Sequence, residues 1–179
     1  MKLFIAVPLP EPIEDALWPL QGGVPGADWT APGDHHLTLR YIGEVDPQQQ
    51  AALDRTLRVL RFAPFELQMH GLGFFPPRGR PKVLWAGLAE SPALLRLQHK
   101  VERAVVGLGL PPEPRQYAPH VTLARLRNSP PYRVAEWLAL QGLFAGQPWR
   151  VGQMCLMSSR GQVGEADYHV EGAYSAVDP

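Results

Sequence analysis

Two tetrads, His36-Leu37-Thr38-Leu39 and His120-Val121-Thr122-Leu123, repeat one pattern of histidine, any residue, threonine, any residue. An imidazole exchanges a proton near neutrality, its free pKa being about 6.5. On an extended strand the side chains alternate, so a threonine two positions on shares the histidine's face. Its hydroxyl can then donate a hydrogen bond to a phosphate oxygen. One tetrad is half of an acid–base site, and two facing tetrads make a whole one. A neutral imidazole would take a proton from attacking water while a charged one gives a proton to the departing oxygen. Hydrolysis of a 2′,3′-cyclic phosphate fits this chemistry, with the threonines and an arginine holding the charge on the phosphate oxygens. Neither ATP nor a metal is required, and no cofactor is expected. Spacing does not say which histidine is the acid.

The pattern carries weight because threonine is scarce. The chain has Thr30, Thr38, Thr56 and Thr122, and two of these follow a histidine by two positions. Chance placement would give such a pair of matches on the order of one time in a hundred. The bland alternative is that both histidines are ordinary strand residues with satisfied partners.

The elements that must position the tetrads can be read from apolar period and punctuation. Residues 3–7 form a buried strand, and Pro10-Glu11-Pro12 opens a helix through Ile13, Ala16, Leu17 and Leu20 that closes at Gly22-Gly23. Leu37 to Ile42 is extended. Asp46-Pro47 caps a helix carrying Ala51, Leu53, Leu57 and Leu60, and a strand from Phe65 to Leu72 follows. The second half repeats the order: strand Val83–Leu88, a helix from Ser91-Pro92 to near Gly107, then Val121 to Ala124 extended. A helix around Val134 to Leu140 and strands around Val151 to Met157 and Tyr168 to Ala176 complete it, with Gly161 and Gly164 in the last turn. His36 and His120 lie 84 residues apart, each on the strand after the first helix of its half. The expectation is a duplicated β-α-β-α-β unit with a pseudo-twofold axis, its repeats spanning residues 1–80 and 81–179 of one domain.

Composition narrows the class. The 179 residues suffice for one compact domain. The 17 glycines and 20 prolines punctuate apolar runs as turn residues do. Lys plus Arg and Asp plus Glu both number 17, so the net charge is zero. A protein that coats nucleic acid is strongly basic, so an RNA partner would be gripped locally at a terminus. The single cysteine, Cys155, permits no intrachain disulfide and favours a reducing compartment. The opening segment reads as a strand, not a signal peptide, and no apolar run approaches the ~18 residues of a membrane span. A cytoplasmic monomer is expected.

The same residues resemble a known family, the LigT-like RNA 2′,3′-cyclic phosphodiesterases of the two-histidine phosphoesterases, also called 2′-5′ RNA ligases. The resemblance covers nearly the whole chain. Lys2–Ala6 is similar to the family's opening strand, Trp29 through Val45 with Gly43 to its first motif block, and Phe74–Trp85 to its middle stretch. Pro119–Arg125 resembles the second block, and Ser158 or Ser159, Gly164 and Tyr168 the ending. The resemblance implies an α+β, bilobal fold with antiparallel sheets and both tetrads lining a central cleft. It implies hydrolysis of RNA 2′,3′-cyclic ends, tRNA fragments among them, to a 2′-phosphate. His36 would be the proton donor, His120 the acceptor, and Thr38, Thr122 and Arg125 the phosphate-binding set. Some members also join RNA through a 2′-5′ bond without ATP. Other cyclic or 2′-5′-linked small nucleotides are alternative substrates.

Arg125 stands three steps from Thr122, so on an ideal strand it would point away from the tetrad face. A bulge or strand end must re-aim it. Arg40 and Arg127 are further candidate phosphate contacts. Arg78-Gly79-Arg80-Pro81-Lys82 is a local basic cluster suited to an RNA backbone. Phe4, Trp29, Tyr41, Phe74 and Trp85 are candidates for stacking on a base. His35 should face away from His36, and Cys155 should be a buried small residue. Two rivals remain: a metal-dependent hydrolase using His35, His36 and His120, and a non-catalytic RNA-end binding module. No clustered metal-ligand motif, phosphate-binding Gly-rich loop or nucleophile elbow is present.

Overall fold

The structure, a computed structural model, describes residues 2–160 and 168–177. Gly161 and Gly164, assigned above to the last turn, lie outside the described residues. The chain runs β1 (Lys2–Pro8), α1 (Glu11–Asp15), a 3₁₀ turn (Trp18–Leu20), β2 (Ala27–Trp29), β3 (His36–Glu44), α2 (Pro47–Val59), β4 (Phe65–Leu67) and β5 (Met69–Phe75). It continues through β6 (Val83–Leu88), α3 (Pro92–Gly107), β7 (His120–Leu126), α4 (Pro131–Gln141), β8 (Trp149–Val151), β9 (Gln153–Ser159) and β10 (Tyr168–Ser175). The α+β class and the antiparallel pairing are as expected.

Local chemistry explains both agreement and difference. Asp46 accepts from the Gln49 backbone N–H at 2.8 Å while the Gln49 side chain accepts from the Asp46 N–H at 3.1 Å, a reciprocal cap that starts α2. Ser91 caps α3 through the Leu94 N–H at 3.2 Å. The first helix is shorter than its apolar period suggests. Pro19 has no N–H to donate and its ring crowds the carbonyl four residues back, so α1 ends at Asp15 and a 3₁₀ turn follows. The extended run after Pro64 divides at Gln68: β4 pairs with β8 in a small ribbon, and β5 pairs with β6 in the main sheet.

The main sheet runs β10-β9-β1-β3-β7-β6-β5, with β2 against β7. Two groups of four strands meet at a single backbone pair, Leu37 with Val121. The sequence halves do not map onto these groups. β5 of the first half pairs with β6 of the second, and β9 of the second pairs with β1 of the first. Each half thus hands its closing strands to the other.

The helices cover one face only. Leu37, Leu39, Val121 and Leu123 are buried with Leu53 and Leu57 of α2, Leu94, Leu97, Val101 and Val105 of α3, Ile13 of α1 and Trp137 of α4. Each such burial contributes about 1.5–3 kcal/mol. The other face bears a separate small cluster of Phe4, Ala6, Cys155 and Met157, with Tyr168 against it. No helix among the described residues is long and apolar enough to cross a membrane.

Candidate active site

The one backbone pair between β3 and β7 sets the geometry of the tetrads. With Leu37 opposite Val121 in antiparallel register, one step to either side faces His36 toward Thr122 and Thr38 toward His120. Leu37 and Val121 are fully buried on the helix side, so all four polar residues project from the opposite face. Side chains directly opposed across such a pair stand about 5 Å apart at Cβ.

Each histidine is held the same way. His36 Nδ1 lies 2.7 Å from the carbonyl of Asp34, and His120 Nδ1 lies 2.7 Å from the carbonyl of Ala118. A carbonyl only accepts, so both rings carry the proton on Nδ1. Neither Nε2 has a hydrogen bond among the described residues, and both stay available to a bound group. The loops behind these carbonyls are anchored in turn. Glu14 of α1 accepts from the Gly33 and His35 N–H groups, each at 3.0 Å, and holds the loop before β3. Glu102 of α3 accepts from the Glu113 N–H at 3.0 Å and holds the loop before β7.

Aromatic rings wall the imidazoles. Phe4 stands 4.8 Å from the His36 ring and Tyr168 stands 5.0 Å from it, while Phe75 lies edge-on to His120 at 4.9 Å. Burial pushes the His36 pKa below its ordinary 6.5, partly offset by the Asp34 carbonyl. Positive charge on His35, His120 and Arg125 would push the same way, each acting on His36. Burial also lowers His120, against the Ala118 carbonyl.

Of the two ways to re-aim Arg125, a bulge or a strand end, the bulge is present. On β7 the pairing with β6 passes from Thr122 to Ala124, leaving Leu123 as the extra residue. On β3 the pairing with β1 passes from Thr38 to Arg40, leaving Leu39 as the extra one. Both bulges fall three residues after the histidine, and each inverts the alternation beyond it. Tyr41 and Arg125, five residues after their histidines, therefore return to the tetrad face. Arg125 is exposed and makes no ion pair among the described residues. Tyr41 is 44% exposed.

Several expected contacts are corrected. The bulge turns Arg40 to the helix side, where it is 7% exposed, pairs with Glu102 at 2.5 Å and donates to the carbonyls of Tyr41 and Pro111. Arg40 is a brace for the loop before β7, not a phosphate contact. Arg127 reaches Asp28 at 3.5 Å, beside Gly26 at the far end of β7. Phe4 is 5% exposed and walls His36 instead of offering an open stacking face. Trp29 packs on Trp137 and, like Phe74, leans on the main core. Trp85 is opposite Thr122 and so lies on the tetrad face, against Phe75 at 5.3 Å. Arg80 is exposed in the turn joining β5 to β6, without a partner among the described residues. His35 is 5% exposed and held by Glu14 at 3.0 Å, apart from His36. Among the described residues no three His, Cys, Asp or Glu side chains gather as metal ligands.

Phe75 and Tyr168 as imidazole neighbours had no signal in period or spacing, since each depends on pairing across strands; only the family resemblance had singled out Tyr168. Glu14 was likewise invisible: its partners, two backbone N–H groups and the His35 ring, lie 19 and 21 residues away. Two imidazoles with free Nε2 atoms on one face, beside two hydroxyls and a guanidinium without an ion pair among the described residues, can exchange protons with one anionic group.

Comparison with known proteins places the chain. A family model described as the 2′-5′ RNA ligase superfamily matches residues 15–163. The chain is similar to the RNA 2′,3′-cyclic phosphodiesterase of Aeropyrum pernix, 40% identical over 95 residues, 52% of this chain and 54% of that protein. It thus spans about half the length of that relative. To the protein of the same name from Bacillus subtilis it is 30% identical over 162 residues, 88% of this chain and 83% of that one. A crystal structure from Thermus thermophilus superposes with a TM-score of 0.78 at 30% identity, covering 98% of this chain and 97% of the other. E. coli LigT in apo form has the same fold, with a TM-score of 0.79 over 99% of this chain and 98% of that one, at 23% identity. Matched over most of its length, the chain belongs to the 2′-5′ RNA ligase superfamily.

Proposed function

We propose that this chain hydrolyses RNA 2′,3′-cyclic phosphate ends to 2′-phosphates by two-histidine acid–base catalysis. The observation that carries the reading is the matched pair of Nδ1-anchored imidazoles, set on one face by the Leu37–Val121 pair. Water attacks phosphorus and gives its proton to Nε2 of His120. The bond from phosphorus to the ribose 3′ oxygen breaks, and that oxygen takes a proton from Nε2 of His36. The proton count closes, leaving a 3′-hydroxyl and a 2′-phosphate. Assigning donor and acceptor follows the family resemblance. Thr38 and Thr122 donate to the phosphate oxygens, and Arg125 balances their charge. With a 5′-hydroxyl in place of water, the same steps would join two RNA ends through a 2′-5′ bond without ATP.

Both tetrads come from one polypeptide, so a monomer suffices. The relatives' names support RNA over a free mononucleotide. The exposed Arg78, Arg80 and Lys82 favour the same reading, because the Lys82 N–H donates to the carbonyl of Phe75 at 2.8 Å and Phe75 touches His120. Phosphates upstream of the reacting end would meet these cations. The test is product analysis of a short cyclic-ended RNA in EDTA, separating 2′- from 3′-phosphate. Turnover to the 2′-phosphate is expected. Binding without product would favour a non-catalytic module, and loss of turnover restored by a divalent ion would favour the metal reading.

A further inference from the structure

A single backbone pair joins β3 to β7, yet the two imidazoles must keep a fixed spacing across that seam. Apolar packing beneath the sheet is non-directional and does not by itself set a ring's orientation. Two hydroxyls supply directional ties. Tyr117, in the loop before β7, donates from Oη to the carbonyl of Thr38 on β3 at 3.0 Å. Thr30, in the segment before β3, donates from Oγ1 to the carbonyl of Thr122 on β7 at 3.1 Å. The arrangement is reciprocal: each hydroxyl precedes one tetrad and closes on the threonine of the other. Both acceptors come immediately before the bulge residues Leu39 and Leu123.

The ties reach the histidines through short paths. Tyr117 adjoins Ala118, whose carbonyl accepts from Nδ1–H of His120. Thr30 also donates its N–H to the carbonyl of Leu123 at 2.9 Å, and its own carbonyl accepts from Gln21 Nε2 at 3.3 Å.

We propose that Tyr117 and Thr30 are positioning residues, a reciprocal pair of hydroxyl latches that fix the spacing of His36 and His120 and the ring orientation of His120. The inference rests on the two-histidine reading for its effect on rate, but not for its effect on geometry. Tyr117→Phe removes only the oxygen. Thr30→Val removes the hydroxyl at nearly constant shape, and Thr30→Ser keeps it. Two readouts apply: kcat and KM on a cyclic-ended dinucleotide, and imidazole nitrogen NMR of the ligand-free protein.

In the parent protein both rings should report the Nδ1–H tautomer. In Tyr117→Phe the His120 signals shift to a tautomer mixture while His36 is unmoved. Displacement of about 1 Å can cost up to ~100-fold in rate, so kcat should fall about tenfold with KM within about twofold. Thr30→Val should lose kcat to a similar degree and Thr30→Ser should recover it. Unchanged tautomers with kcat within about twofold of the parent in both Tyr117→Phe and Thr30→Val would overturn the proposal, whatever happened to Tm. If the parent protein itself turned nothing over, the hydrolase reading would fail alone and the tautomer signals would still decide the latch. Should Tyr117→Phe not fold, the Thr30 valine and serine variants decide it.

Discussion

Burial and neighbouring positive charge hold His36 below the ordinary 6.5, and burial does the same to His120. The sign of the pH dependence follows. Activity rises with pH as the base loses its proton, and falls once the acid loses its own. With both groups lowered in the free enzyme, the maximum of kcat/KM should lie on the acid side of 6.5. A bound phosphate anion favours the charged imidazole, so the kcat maximum should sit at higher pH than that of kcat/KM. A flat profile between about pH 5 and 9 would contradict the pair. At this scale the histidines and threonines were legible because their chemistry is local and repeated. That Arg125 needed re-aiming was legible too, since period-two alternation points it away; that a bulge and not a strand end does it was not. Arg40 was not, because the matching bulge on β3 sends it to Glu102 and the helices.

Among the elements, those with strong local punctuation could be read directly. Asp46-Pro47 and Ser91-Pro92 announce their helices by capping chemistry. β2 could not, since three residues carry no periodic signal and its existence depends on the edge of β7. Gly26 makes that pairing possible. It adopts φ +76°, and a Cβ there would overlap the Arg127 carbonyl oxygen. Its own carbonyl accepts from the Arg127 N–H at 2.7 Å. Gly26→Ala should therefore cost about 2 kcal/mol or more of stability, combining backbone strain with displacement of β7. Gly22→Ala, at φ +104° with open space around it, should cost less because only strain applies. Denaturant unfolding of both variants checks this, and equal losses would show that close approach to β7 is not what requires glycine.

The repeat visible along the chain becomes, in the whole molecule, an exchange of strands between halves. Two halves were expected because each carries one tetrad at the same place. The exchange of strands between them could not be read, because a period of about half the chain fixes order and not partners. The exchange shapes the surroundings of both imidazoles: β10 brings Tyr168 against His36 and β5 brings Phe75 against His120, so each histidine is walled in part by a strand from the other half. The overall charge of zero is compatible with the proposed local grip on one RNA end, for which Arg125 and the Arg78–Lys82 turn would be the cations. In the proposed mechanism His36 and His120 act on the same phosphorus atom. Single-turnover cleavage of a cyclic-ended RNA by the parent, His36→Asn and His120→Asn tests it most directly. Each substitution should slow formation of the 2′-phosphate by about 10²–10⁴-fold with the fold intact. Near-parental turnover in either variant would contradict it.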